Sequence, residues 1–248
     1  MTAVTESLTL CLDTSHGVAV ALLRDGAEVA AARSDETRRH VETLTPLITD
    51  CLQRSGATPA DVTEVAVGTG PAPFTGLRVG LVTARTFAAA RRIPVYGVSS
   101  LEAIAADAAE VGAEVLVATD ARRREVYWGR YRVTETGVET VAGPGVATAA
   151  DVAAEHADLV TAERVVGKGV GLYPEALAPA ARSDQPESGS RVVTTDQRTP
   201  APAARVVDAA TVGRLARARS AVGLEQPTQA LYLRTPDIAP PSGRKRAS

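Results

Sequence analysis

Short apolar runs punctuated by glycine and aspartate set the pattern of the first third of the chain. LTLCLD at 8–13 ends on Asp13, a polar TSHG follows, and GVAVALL at 17–23 and AEVAAARS at 27–34 flank Arg24-Asp25-Gly26. An Asp-Gly pair between apolar runs predicts a hairpin, because glycine takes the positive φ that such turns require. The same order recurs later. VLVATD at 115–120 ends on Asp120, and ARRR, EVYWGRYRV at 125–133, a turn at Gly137 and VETVAG at 138–143 follow it. Each unit then runs through a helical stretch into a strand ending in Gly-x-Gly: EVAVGTG with Gly68 and Gly70, and RVVGKG with Gly167 and Gly169. Similar order at similar spacing predicts a duplicated unit: strand, strand, strand, helix, strand, helix, strand, helix, twice over.

Periodicity places the helices. In HVETLTPLITDCLQRSG, Val41, Leu44, Ile48, Cys51 and Leu52 share one helical face, Gly56 supplies the stop, and Pro46 marks a kinked first turn or the true start. A second helix, from about Thr75 to Arg92, carries Gly76, Gly80, Ala84 and Ala88 at strict four-residue intervals. A glycine within a helix costs about 1 kcal/mol relative to alanine, so this bare stripe needs a close neighbour. The stripe docks either on the chain's own sheet or on a helix of another protein. IPVYGVSS at 93–100 and a helix from Leu101 to Ala109 follow. Residues 178–204, rich in Pro, Ser, Asp and Gln, read as an irregular insertion.

The balance of 27 basic and 29 acidic residues, net charge -2, gives no summed positive field for a polyphosphate or anionic lipid. Aromatic residues make up 3%, too few for a base-stacking surface. Cys11 and Cys51 lie in apolar runs and read as buried thiols. His16, His40 and His156 include no pair at i+3 or i+4, so no helix offers two nitrogen ligands on one face, and there is no G-x-S-x-G; the sequence nominates no metal site and no catalytic residue. Without a basic-then-apolar leader or an apolar span of about 20 residues, the expected location is the cytoplasm, away from membranes.

Two such units face to face would put Asp13 and Asp120 on opposite walls of a cleft. That resembles the actin, sugar-kinase and Hsp70 fold: α/β, two RNase H-like halves in an actin-like (ASKHA ATPase-type) arrangement, with mixed sheets flanked by helices. The resemblance implies a nucleotide or anion cleft built from Asp13, Thr14, Ser15, Asp120 and Arg122, with carboxylates on the cation and turn amides on the phosphates. A small-molecule kinase or ATPase is the alternative reading it carries. Against that reading, the TSH turn is short of glycine and no lysine stands near either aspartate in sequence; Arg122, Arg123 and Arg124 stand there instead, holding an anion or simply solvated.

The stretch GTGPAPFTGLRVGLVTARTFAAARRIPVYGVSSLEAIA, 68–105, resembles the signature of the bacterial TsaB (YeaZ) family, and LCLDTS, DARRREVYWGRY, VVGKGV and ALYLR at 230–234 keep that family's order. The resemblance implies halves at 1–108 and 109–220, a segment at about 221–236 packing back on the first half, and a disordered tail at 237–248. It also implies a non-catalytic scaffold or activator subunit in making threonylcarbamoyladenosine at tRNA position 37. Its partners would be a TsaD-type paralogue as heterodimer and a TsaE-type ATPase, a second copy of itself when alone, and tRNA only indirectly through the complex. No cofactor is required; ATP or ADP with Mg would bind weakly, in the cleft or at the partner interface. In place of the paralogue's His-x-x-x-His, this chain has His40 and Leu44. The first two helices would pack against the partner through Val41, Leu44, Ile48, Gly76, Gly80, Ala84 and Ala88, so that Gly80→Arg would abolish association and spare the fold. One departure is Ala72-Pro73 where the family has Gly-Ser, which stiffens that loop and removes one N–H donor.

Overall fold

The computed structural model describes residues 6–36, 39–161, 163–178 and 205–234. Most of the insertion expected at 178–204, and the tail at 237–248, lie outside the described residues.

β1 (Leu8–Asp13), β2 (Val18–Arg24) and β3 (Ala27–Ser34) form an antiparallel meander. Asp25 and Gly26, at φ 51° and 88°, make the turn that the Asp-Gly pair predicts. Helix α1 (His40–Ser55) ends at Gly56 in the left-handed conformation, and β4 (Glu64–Gly68) returns parallel to β1. α2 (Phe74–Arg91) leads to β5 (Val95–Val98), giving the order β3-β2-β1-β4-β5. α1 begins at His40 rather than at Pro46, which lies inside it. The proline removes the donor for Glu42 C=O, but both residues are exposed, so solvent serves that carbonyl.

After α3 (Ser100–Ala108), the second sheet repeats the plan with β6 (Glu114–Asp120), β7 (Glu125–Thr134) and β8 (Gly137–Thr148). Beyond α4 (Ala149–Glu155) and α5 (Ala157–Thr161), the short β9 (Val165–Val166) pairs parallel with β6, as β4 does with β1. The order β8-β7-β6-β9 has no counterpart of β5 among the described residues, so the second copy falls short of the expected repeat. Two short helices, α6 (Lys168–Leu172) and α7 (Pro174–Leu177), follow β9 instead, with no apolar run of strand length between them. No helix among the described residues is long and apolar enough to cross a membrane.

The helices between the two sheets are exchanged. α3 belongs to the first half in sequence, but it packs on β6 and β7. α8 (Ala209–Ala221) comes after the second sheet, yet it covers β1, β2 and β4. Val212, Leu215 and Ala216 of α8 share one buried cluster with Cys11 and Leu23 of the first sheet, Leu101 and Ile104 of α3, and Val117 and Tyr131 of the second sheet. The boundary at 108/109 and the assignment of 109–220 to the second half therefore divide a common core.

The chain then returns along the first half. Gly97 N–H donates to Gln226 O at 3.1 Å and Leu231 N–H to Thr69 O at 2.9 Å. The Tyr232 ring stacks on Phe74 at 4.5 Å, with its hydroxyl 3.0 Å from Arg78 Nε. Arg234 reaches the second half, pairing with Glu125 and donating to Ala121 O.

The glycine stripe of α2 faces inward. Thr14 Oγ1 donates to Gly76 O at 2.8 Å and accepts from Gly80 N–H at 3.1 Å, the two groups that close one helical turn. A Cβ on Gly80 would stand 2.4 Å from that oxygen. Ala84 and Ala88 are buried one and two turns on, in the cluster that holds Leu44 and Ile48 of α1. These six residues of the expected interface are thus consumed by the chain's own core, and only Val41, 71% exposed, faces outward. Gly80→Arg cannot spare the fold. We expect even Gly80→Ala to lower stability by roughly 1–3 kcal/mol through overpacking, and Thr14→Ala combined with it to cost less than the sum of the single changes. Urea unfolding of the three variants measures both; additive costs would refute the contact.

Candidate functional site

The site forms where the two halves meet. β1 ends on Asp13, whose carboxylate is enclosed: Ser15 N–H and Ser15 Oγ donate to Oδ1 at 2.8 and 2.5 Å, and Ser100 Oγ donates to Oδ2 at 2.6 Å. Gly68 lies so close that a Cβ there would overlap Oδ2. Burial pushes the Asp13 carboxyl above the usual carboxylate range, against the pull of its serine donors. Asp13 therefore fixes the turn after β1 from within, and the two aspartates do not face each other across a cleft. Ser15 of the turn itself holds one carboxylate oxygen and Ser100, 87 residues beyond Asp13, holds the other.

The next residues, Thr14, Ser15 and His16, line a cavity of about 310 Å³. Its floor on this side is the start of α2, at Pro73, Thr75 and Gly76, with His40 at the start of α1 beside it. Pro73 is the N-cap of α2, and no side chain caps the helix, so its first-turn amides are left without an internal acceptor. The missing N–H at 73 thus removes one donor while leaving those of the helix itself.

The other wall comes from the second half: Asp120, Arg122 and Lys168. Asp120 Oδ1 accepts from Arg122 N–H at 2.7 Å, and Oδ2 lies 3.1 Å from Arg122 Nη1. Arg122, Arg123 and Arg124 take φ of 64°, 55° and 65°, a run of left-handed residues that costs backbone strain and carries the chain tightly from β6 to β7. Of the five expected cleft residues, Thr14, Ser15, Asp120 and Arg122 come together and Asp13 does not. His16, His40 and Lys168 were not among the expected residues. The signal for Lys168 was compositional: it is one of 2 lysines among 27 basic residues. Far from Asp120 in sequence, it joins it in space.

The imidazoles carry little charge at neutral pH. Burial, with Lys168 beside it, pushes His16 down to about 4, and burial holds His40 below its ordinary value. The ionised wall is then Arg122 and Lys168 against Asp120, and the amide end of α2 adds to the positive side. Such a cavity suits an anion. No group of three or more His, Cys, Asp or Glu that could hold a metal ion occurs among the described residues.

Residues 34–195 match the model of the family described as TsaD: tRNA N6-adenosine threonylcarbamoyltransferase. The chain is 50% identical over 117 residues to an uncharacterised protein of Mycobacterium tuberculosis, covering 47% of this chain and 52% of that one. It is 39% identical over 132 residues to the tRNA threonylcarbamoyladenosine biosynthesis protein TsaB of Escherichia coli, covering 52% of this chain and 57% of that one. The chain thus spans about half the length of the curated relatives it matches. Two solved structures from Pseudomonas aeruginosa, one of an uncharacterised protein with similarity to peptidase YeaZ and one of YeaZ, superpose at TM-scores of 0.71 and 0.69, with 31% and 30% identity over 92% of this chain and 100% of theirs.

Protonation of His16 should be visible in stability. Its folded value of about 4 lies below its ordinary value of 6.5, so between these pH values the unfolded chain binds a proton that the folded chain refuses, and stability falls as pH drops from 6.5 to 4. Asp13, shifted upward, has the opposite sign, so the comparison must be with a variant at position 16. We expect His16→Asn to lose less stability than the unaltered chain between pH 7 and pH 4.5 in urea titrations; equal losses would show that His16 does not titrate this way.

Proposed function

The chain belongs to the TsaB/YeaZ family, and on that premise we propose that it is a non-catalytic subunit of the assembly that makes threonylcarbamoyladenosine in tRNA. The name carried by its TsaB relatives supplies the pathway. The observation that supports the scaffold role is the start of α1, where His40 has no second histidine one turn on: Leu44 stands there and is buried in the core. The partner of this reading is a TsaD-type paralogue, with a TsaE-type ATPase joining the pair and tRNA approached only through the complex, in the cytoplasm. A net charge of -2 suits a protein that meets tRNA indirectly. Alone, the chain would pair with a second copy. ATP or ADP with Mg would be at most a weak ligand.

The docking surface in this proposal is the outer side of α1 and α2, which touch each other. Val41 and Val82, 71% and 60% exposed, are apolar side chains left outside on these helices, with Phe87 and Val79 half-buried nearby. The kinase or ATPase reading receives less support, because Asp13 is enclosed and a paired-carboxylate cation site is not formed.

The test is co-expression with a TsaD-type paralogue, sizing of the complex and a tRNA threonylcarbamoylation assay. We expect a stable heterodimer and modification that requires this chain. Val82→Glu should weaken association at least about tenfold while shifting unfolding by less than about 0.5 kcal/mol, as for an exposed position. Full modification without the chain, or unchanged association of Val82→Glu, would overturn the reading of role or of surface respectively.

A further inference from the structure

We propose that the cavity between the halves binds a phosphate group without a divalent cation, and that Lys168 is its principal cationic contact. The placement of Lys168 is built. Gly167 and Gly169 on either side lie against β6 so closely that a Cβ on either would stand 2.4 and 2.8 Å from Ala118 O. Gly167 also takes φ 105°, which other residues rarely adopt. The backbone therefore passes hard against the strand, and the residue held between the glycines lines the cavity. Among the described residues the ammonium has neither a hydrogen-bond acceptor nor a carboxylate partner, whereas many of the arginines are paired. A compact cation with three donors, kept in a chain that otherwise relies on arginine, suits a ligand oxygen better than a planar protein carboxylate.

The charge count selects the ligand. Arg122 is held by Asp120 on one edge of its guanidinium, which leaves other N–H groups for a second acceptor. Arg122 and Lys168 against Asp120 leave that wall one net positive charge, and the uncapped start of α2 lines the cavity opposite. Lys168 and Arg122 line one side of the cavity, and Thr75 and Gly76 at the start of α2 line the other. A tetrahedral oxyanion presents oxygens to both walls at once, whereas a carboxylate presents two oxygens in one plane. A magnesium–triphosphate group fits poorly, because Asp13 is buried and Asp120 is already paired, leaving no free carboxylate for the metal. The ligand class is therefore inorganic phosphate or the phosphate of a monoester such as a mononucleotide.

Titration calorimetry on the intact chain in EDTA, with orthophosphate, AMP and adenosine in separate arms, tests this. Orthophosphate should bind at millimolar or lower concentration without added metal, and Lys168→Met should weaken it at least about tenfold, the loss expected for a charged hydrogen bond. AMP binding more tightly than orthophosphate would identify the monoester as ligand, and equal or weaker binding would identify free phosphate; adenosine should not bind. The unfolding midpoint of Lys168→Met without ligand establishes that the variant is folded. No binding of either phosphate, equal affinity of Lys168→Met, or binding that appears only with Mg would overturn the proposal. Because the isolated chain is measured, the outcome is independent of any partner.

Discussion

The hydroxyl of Thr14, wedged between the carbonyl of Gly76 and the amide of Gly80, is the contact on which the placement of α2 depends. It requires a helix with no side chains on that face, since a Cβ at 80 would collide with it. A Cβ at 76 would meet both Thr14 O and the ring of His40. Two helical glycines cost about 1 kcal/mol each in propensity. In return the end of β1, the start of α1 and the first turn of α2 are brought within van der Waals reach. That convergence makes the first wall of the cavity, with the uncapped start of α2 in it. The enclosure of Asp13 by Ser15 and Ser100 serves the same end, because it stiffens the turn that presents Thr14.

Exchange of α3 and α8 has a different effect. Each sheet is covered by a helix from the other side of the sequence division. Tyr131 and Val117 of the second sheet and Cys11 and Leu23 of the first are buried in one cluster through these helices. Arg219 of α8 pairs with Glu102 of α3 at 2.9 Å within that layer. The segment from Gln226 to Arg234 adds a second tie, touching β5, α2 and the β6–β7 turn in succession.

Much of this was legible. Asp25-Gly26, Gly56 and the two aspartate-terminated strands are local signals, and local chemistry decided them. The direction of the small-residue stripe was not: absence of side chains states that something approaches closely, and Thr14, 62 positions from Gly76, is what approaches. The burial of Asp13 follows from Ser100, 87 residues away, which no spacing rule connects to it. Nor does the apolar face of α8 say which sheet it covers, since an amphipathic helix specifies a face and leaves its partner open. Lys168 could be placed beside Asp120 only after β9 had paired with β6.

The position of α8 also governs the order in which the protein can be finished as it leaves the ribosome. One face of the first sheet, with Cys11, Ala21 and Leu23, packs against α8, roughly 190 positions downstream, in the cluster that also holds Leu101 and Ile104 of α3. An emerging N-terminal half can pair its strands and dock α1 and α2, but it carries an open apolar face until α8 has been made. The N-terminal half therefore lacks, within its own sequence, the helix that covers this face of its sheet. The stretch that follows α8 is also the one that ties β5 and α2 in place.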